Sequence, residues 1–385
     1  MREHQLTEEQ RLIRASARKL AQEVFAPRAA AADRDFVPPV GNVKVLAEQG
    51  FTGLFIPERY GGKGLGVSEM VLVVEEIARA CANTAILYSL TDGATTRTIA
   101  EQGTPAQKDR YLPRLARGEL YAAWSMSEPD AGSDLGAIRT RAVDNGEHLV
   151  LNGSKTWCSC AQLADLFIVF VRMGDAPGIG GIAAVLVEKG APGFSVGQHL
   201  DLIGLRATGM APLFFQDTPV PRENLILAPG QMKKLLGVFD ADRIGGNPPI
   251  CLGVAASAVA AIVAYLKERR QFGKPLSEFQ GLQWKVADLV IRLEAARSLL
   301  YGAARELDAG RHNPGDVALT KIFVNEAAVE ITNSCMQLAG AYGLAAEYPF
   351  ERAFRDVRGM SIGYGSTEIL RSVLAREVFE AGYQP

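Results

Sequence analysis

Four short segments gather residue types able to hold or transform a ligand. SMSEPDAGSD (125–134) sets hydroxyls and carboxylates around Gly132, and a residue without a Cβ lets backbone come close to a cofactor. A polar hairpin would use the same residues. GSKTW (153–157) ends in Trp157, with Ser159 two residues on. An indole beside a small hydroxyl can cover one face of a planar ring; a core tryptophan is the commoner use. ERRQFGKPLSEFQGLQWKVADL (268–289) puts Arg269 and Phe272 at a helix end, where a cation and a ring could clasp a pyrophosphate. A solvated charge run has the same composition. The densest segment, 337–371, carries Gly340, Gly343, Gly359, Gly363 and Gly365 ahead of STEIL. Free backbone N–H groups before a helix meet anionic oxygens, and Ser366 or Thr367 would cap that helix.

Composition limits the rest. The 385 residues allow two or three domains, and 48% apolar with 22% charged residues is ordinary for a globular chain. A net charge of −2 gives no basic excess for nucleic acid or an anionic membrane. The 4 His and 5 Cys fit neither a disulfide framework nor a spaced metal site. The charged N-terminus, MREHQLTEEQRLIRASARKL, is unlike a secretory signal, and no apolar run is expected to reach a membrane span of ~18 residues. These features predict a reduced, cytoplasmic protein whose chemistry comes from side chains or an organic cofactor.

The elements that must position these segments fall into three blocks. Thr7 with Gln10 forms a capping box ahead of Leu12, Ile13, Ala17 and Leu20, which have helical spacing. Further helical patterns cover about 40–50, 67–81, 85–102 and 105–117, with the Gly-rich connection FTGLFIPERYGGKGLG at 51–66. From 120 to 230, short Val-, Ile- and Phe-rich runs between Gly, Asp, Asn and Pro predict an antiparallel β domain. Long helical patterns return over about 240–271, 277–309, 314–340 and 362–382, as in an up-down bundle. The expected divisions are 1–119 helical, 120–230 β and 231–385 helical.

Taken together, these segments resemble the FAD-dependent acyl-CoA dehydrogenases over nearly the whole chain. SEPDAGSD, FDADR, RRQFGKPL, EYPFERAFRD and STEILR match family motifs in order. The resemblance implies an α+β, mostly α fold: an N-terminal helical domain, a middle β-barrel and a C-terminal four-helix bundle. It also implies FAD without a Rossmann unit, an acyl-CoA substrate, electron-transferring flavoprotein as electron acceptor, and a homo-oligomer, usually a tetramer. By position, Trp124, Met126, Ser127, Gly132, Ser133, Trp157 and Ser159 match residues around the flavin ring, Ser133 also lying near the CoA arm. Arg269, Phe272, Gln337 and Gly340 match contacts to the FAD pyrophosphate and adenosine supplied across a subunit interface. Ser366 and Glu368 match cofactor-side positions. Asp240, Arg243, Tyr364 and Gly365 match substrate positions.

The sequence departs from the family pattern at the base. The chemistry removes a Cα proton and a Cβ hydride, and most members place a Glu where this chain has Tyr364. A phenol with a pKa near ~10 is a poor base at neutral pH. Two carboxylates could replace it. Asp242 matches the Glu of an E-R pair used by isovaleryl-type members, and an Asp paired with Arg243 or Arg269 is the structural alternative. Asp92 lies in ILYSLTDGATT (86–96), where some enzymes of cyclic acyl-CoA thioesters use an Asp for 1,4-elimination; a helix-surface Asp is the alternative there. The expected activity is dehydrogenation of a short, branched or cyclic acyl-CoA, the bulk of Tyr364 arguing against a long straight chain. Non-oxidative elimination of a sulfinate, with Arg97 as its cation, a carrier-protein thioester and an inactive flavoprotein subunit are the competing readings.

Overall fold

The computed structural model describes residues 6–382. The chain begins with helices α1 (Glu8–Leu20), α2 (Ala26–Asp35), α3 (Val40–Glu48), α4 (Val67–Ala80), α5 (Ala82–Leu90), α6 (Thr96–Gln102) and α7 (Pro105–Ala116). The capping box at α1 forms as expected, with Thr7 Oγ1 accepting from Gln10 N and the Gln10 side chain accepting from Thr7 N. The connection 51–66 between α3 and α4 is pinned from beneath. Tyr88 donates to the Phe51 carbonyl at 2.6 Å and Thr52 to the Ala116 carbonyl at 2.7 Å.

Strands β1 (Ala122–Ser125), β2 (Arg141–Asp144), β3 (His148–Cys158), β4 (Leu166–Arg172), β5 (Ile182–Glu188), β6 (Phe194–Val196), β7 (Ala211–Pro221) and β8 (Leu225–Leu227) form one sheet in the order β6-β7-β3-β2-β4-β5-β8. The sheet is not wholly antiparallel as the strand pattern suggested. β1 runs parallel to β4, with Trp124 opposite Ile168, and β2 also meets β4 in parallel. Both faces of β4 are buried, since Leu166 to Val171 are covered without alternation. Period-2 reasoning has no signal in such a strand.

The C-terminal region contains α8 (Leu236–Gly245), α9 (Asn247–Glu268), α10 (Gln280–Asp308), α11 (Pro314–Ala339), α12 (Phe350–Arg358) and α13 (Thr367–Ala381). The single helix expected over 240–271 is two helices broken at Gly246, and the last expected helix starts at Thr367 rather than 362. No charge interrupts Asn247–Leu266. The segment Met232–Glu268 is therefore long and apolar enough to cross a membrane, contrary to the sequence expectation, but 67% of its apolar window is buried inside the fold. Its apolarity belongs to the core.

Helices from both ends of the chain share that core. Among the residues of α4, Val67, Ser68 and every position from Met70 to Ala78 are buried, so no side is left for solvent. Its acidic residues are paired instead. Glu75 accepts from Arg297 and from the Tyr301 hydroxyl, and Glu76 from Arg18. Asp308 at the end of α10 caps the α4 N-terminus, accepting from Val67 N at 2.6 Å and Ser68 N at 2.9 Å. At Gly253 the α4 and α9 backbones meet directly. A Cβ there would strike the Glu75 carbonyl and come within 2.8 Å of the Ala78 Cβ. Gly253→Ala should therefore cost about 1–3 kcal/mol by overpacking, read as a lower denaturant midpoint at unchanged slope.

Candidate functional site

The site centres on a helix that breaks. After α5 the chain passes through one wide turn, Thr91–Thr95, in which Gly93 leaves helical geometry (φ −84°, ψ −117°) before α6 resumes. The threonines of TDGATTRT absorb the carbonyls that the break releases. Thr96 Oγ1 donates to the Thr91 carbonyl, and Thr98 Oγ1 to the Ala94 carbonyl at 2.6 Å. Such back-bonding is a usual cause of local bending. The break also sends two polar groups in different directions.

The Ala94 N–H goes to α8, where Asp242 Oδ1 accepts it at 3.0 Å. Asp242 is buried, and among the described residues its Oδ2 has no hydrogen-bond partner. Burial raises this carboxyl to about 7, against the lowering effects of the Ala94 amide, the nearby Tyr364 phenol, Arg97 and Arg243. Gly93 is what allows the approach, because a Cβ there would lie 2.7 Å from Asp242 Oδ1. Asp242 lines a narrow, tightly packed cleft with Phe55, Met70, Gly93, Arg97, Ala241 and Gly245.

Asp92 turns the other way. Its Oδ1 accepts from Gly53 N in the 51–66 connection. Burial raises this carboxyl also to about 7, against hydrogen bonds from the Gly53 and Leu54 amides. The helix-surface alternative is excluded, since Asp92 is 3% exposed. It is not among the residues that line the Asp242 cleft.

Tyr364 closes the site from the loop before α13. It sits at φ 60° beside Gly365, and its phenol is held un-ionised by burial and by the neighbouring Asp242. Three buried polar side chains hold this loop. Lys321 Nζ donates to the Gly365 carbonyl at 3.0 Å. Asn247 Nδ2 and Asn325 Nδ2 donate to the Met360 carbonyl at 3.1 and 2.9 Å. Arg243 Nε reaches the Tyr364 carbonyl at 3.4 Å, and its guanidinium lies 3.6 Å from Asp240. Asp242 thus does not pair directly with Arg243; Asp240 takes that place. Sequence reasoning missed Lys321, Asn325, Asn247 and Gly93. The available signal was a lone lysine and an asparagine four residues on, along an otherwise apolar face of α11.

The sheet supplies the second wall. Strand β3 has a bulge between Lys155 and Cys158, and there Trp157 adopts φ 56° and is 59% exposed. A bulge of this kind re-aims a side chain. Ser159 is half-buried next to it. The 125–134 segment is fixed to β3 from below. Buried Lys155 donates to the Met126 carbonyl at 2.9 Å and to Glu128 at 2.8 Å, and Glu128 also accepts from the Arg139 and Thr140 amides. Burial brings Lys155 down to about 8. Met126 and Ser127 are half-buried on this segment, and Gly132 and Ser133 are exposed. Trp124 is different: its ring is stacked between Phe170 and Phe239, each 5.3 Å away. It joins the sheet to α8, so both of its faces are already covered.

An uncovered indole, the Ser127 and Ser159 hydroxyls and the buried, unpartnered Thr208 hydroxyl next to Cys160 fit a flavin, whose ring needs a flat apolar cover and hydrogen-bond donors at its rim. A second group lies at the helix ends. Arg269 stacks on Tyr342 at 5.3 Å, Phe272 is 92% exposed, and Gln337 and Gly340 are exposed. Among the described residues, no hydrogen bond or ring contact joins this group to Trp157. Ser366 caps α13, accepting from Ile369 N at 3.3 Å, and Glu368 is exposed in its first turn.

Family models for the N-terminal, middle and C-terminal domains of acyl-CoA dehydrogenase match residues 7–119, 123–218 and 245–379. The chain belongs to the acyl-CoA dehydrogenase family. It is 37% identical to a short-chain specific acyl-CoA dehydrogenase of Clostridium acetobutylicum, over 97% of this chain and 99% of that one. It is 36% identical to a mitochondrial isovaleryl-CoA dehydrogenase of Oryza sativa subsp. japonica, over 97% and 91%. The solved structure of butyryl-CoA dehydrogenase from Megasphaera elsdenii superposes at a TM-score of 0.94 with 34% identity, covering 97% and 99%. The chain is thus an FAD-dependent oxidoreductase of acyl-CoA with the family's fold. For this dehydrogenase, Gly93→Ala should displace Asp242 and lower turnover about a hundredfold, while flavin content, read from the visible spectrum, stays the same.

Proposed function

We propose that this enzyme oxidises a short or branched acyl-CoA thioester, with the Asp242 carboxylate as the base that takes the Cα proton. The observation that supports this most is the unpartnered, buried Oδ2 of Asp242 in a small cleft. A carboxylate oxygen without a hydrogen bond is costly to bury and free to accept a proton. FAD, when bound, accepts the hydride from Cβ, so the substrate loses two hydrogens and gains a C=C bond. Tyr364 orients the carboxylate and fills the space beyond it, which suits a short acyl chain. Arg243 and Asp240 fix the α8 end of the thioester site. Asp92, engaged with Gly53, serves the 51–66 connection. The 1,4-elimination expected of a cyclic-acyl enzyme rested on Asp92, so oxidation across Cα–Cβ is the better-supported reaction.

Electron-transferring flavoprotein as acceptor and a tetrameric assembly belong to the same reading. The exposed Arg269, Phe272, Gln337 and Gly340 suit a group that completes the FAD site of a second copy. The residue roles and the divisions at 119 and 230 are likewise part of the proposal. All five cysteines are free and buried, which suits a reducing cytoplasm.

Anaerobic mixing of the holoenzyme with straight, branched and cyclic acyl-CoA thioesters tests the reaction. Flavin bleaching by short or branched substrates is expected; product without bleaching would mean elimination instead. Asp242→Asn should lower the rate about 10³-fold, whereas Asp92→Asn should keep most activity and lower thermal stability. The reverse pattern would transfer the role to Asp92. Because the base works ionised, kcat/KM should fall below pH 7 and level off above it. Tyr364 lowers the Asp242 pKa, so Tyr364→Phe should move this limb to higher pH.

A further inference from the structure

The loop that carries Tyr364 has a backbone shape that its own sequence does not sustain. Tyr364 and Gly365 are both left-handed, with φ 60° and 92°. The glycine adopts this freely, but a tyrosine does so only where its surroundings impose it. Here two cations from different helices take consecutive carbonyls. Arg243 Nε on α8 donates to the Tyr364 carbonyl at 3.4 Å, and Lys321 Nζ on α11 donates to the Gly365 carbonyl at 3.0 Å. Lys321 also reaches the Met360 carbonyl at 3.5 Å, so one ammonium bridges the two ends of the 360–365 turn.

The bridge is made where a cation is costly. Lys321 has no exposed surface. The titratable groups that act on it are Cys251 of α9, whose thiol burial keeps un-ionised, and Arg243 of α8, a like charge. No charged group of α10, α12 or α13 acts on it, and burial brings the ammonium down to about 8. The two carbonyl dipoles favour the charged form, because a charged donor binds a carbonyl more strongly than a neutral amine does. The strength of the bridge therefore depends on the Lys321 proton.

We propose that Lys321 is a positioning residue whose charge holds the Tyr364–Gly365 turn, and with it the phenol beside Asp242, and that loss of its proton releases the turn. The proposal rests on the dehydrogenase reading above and adds an alkaline limit to it. The level region of kcat/KM above pH 7 ends where Lys321 loses its charge. The Tyr364 phenol does not supply this limit, since burial and Asp242 hold it un-ionised well above that range.

Two measurements on the holoenzyme test it. One is the pH profile of kcat and kcat/KM with the best thioester substrate. The other is hydrogen exchange, read by mass spectrometry on a peptide spanning 359–367 and corrected for the intrinsic rate, at about pH 7 and about pH 9.5. In the unaltered enzyme kcat should fall on the alkaline side, and exchange in the turn should rise about tenfold. Lys321→Arg, which keeps the charge, should remove both changes. Lys321→Met, which keeps the bulk without a donor, should retain flavin, lower kcat about 10–100-fold and exchange rapidly at both pH values. An unaltered enzyme with neither alkaline change overturns the proposal, however the variants fold. So does an alkaline limb that persists in Lys321→Met. So does a limb lost instead in Lys155→Arg, since Lys155 is the other buried lysine among the described residues. If no thioester is oxidised at any pH, the dehydrogenase reading fails, and the exchange measurement alone decides the role of Lys321.

Discussion

The site depends on one backbone amide reaching one buried carboxyl. Asp242 is buried, and among the described residues its ionised form is favoured by the Ala94 N–H, the neighbouring Tyr364 phenol and the Arg97 and Arg243 guanidinium groups. An unbroken helix would commit the Ala94 N–H to its own carbonyl ladder. The departure of Gly93 from helical angles frees it, and the missing Cβ leaves room for the acceptor. Threonines at 96 and 98 then satisfy carbonyls that the same break releases. The break is a local loss of helix bonding that adjacent hydroxyls and a distant carboxyl make good. The helix that carries Asp242, α8, packs against α4, α9 and the 91–95 turn.

A second constraint acts on the opposite side. The loop carrying Tyr364 has little regular structure of its own, and its carbonyls point into the bundle. Lys321, Asn247 and Asn325 meet them. Lys321 is fully buried and its neutral form is favoured, which brings it down to about 8. Among the described residues, its hydrogen-bond partners are the Gly365 and Met360 carbonyls. Removing it would leave the Gly365 carbonyl buried without a donor, so the Tyr364 position depends on α11 as much as on its own chain neighbours. Tyr364 and Trp157 are positioned by unlike means: Tyr364 by a loop tied down through its carbonyls, Trp157 by a bulge in a strand.

Much of this was legible in the sequence because the signals are local. The Thr7–Gln10 box, the Ser366 cap and the three blocks follow from spacing and cap chemistry. The segments 125–134 and 153–157 were legible as hydroxyl, glycine and aromatic clusters, and Trp124 is packed between Phe170 and Phe239. What was not legible depends on distant partners. Asp92 and Asp242 look alike in one dimension, each an acidic residue in an apolar helix. Only the fold separates them, since one meets an amide 39 residues earlier and the other an amide 148 residues earlier. The parallel β1–β4 pair was hidden for a similar reason, as a strand buried on both faces loses its alternation. The division of α8 from α9 at Gly246 coincides with the run Gly245-Gly246-Asn247-Pro248-Pro249, a local signal that the single-helix reading passed over, and it lets Asn247 turn inward to the Met360 carbonyl.

The exchange of residues between loop and helix has a consistent physical logic. A base on the α13 loop would be carried by backbone that must first be ordered by Lys321 and the two asparagines. A base on α8 is carried by a helix packed against the central core. Aspartate is shorter by one methylene than the glutamate of the E-R pair it resembles, so its carboxyl stays closer to its own helix. That short reach suits a neighbour that comes unusually close, and the neighbour here is a glycine. With Asp242 as the proposed base on α8, the loop position would not need to ionise, and Tyr364 would work as a phenol. Its phenol lies beside the Asp242 carboxyl, which helps to keep it un-ionised. Gly93, Asp242 and Tyr364 are therefore one arrangement. A Cβ at position 93 would strike Asp242, which in turn lies beside the Tyr364 phenol.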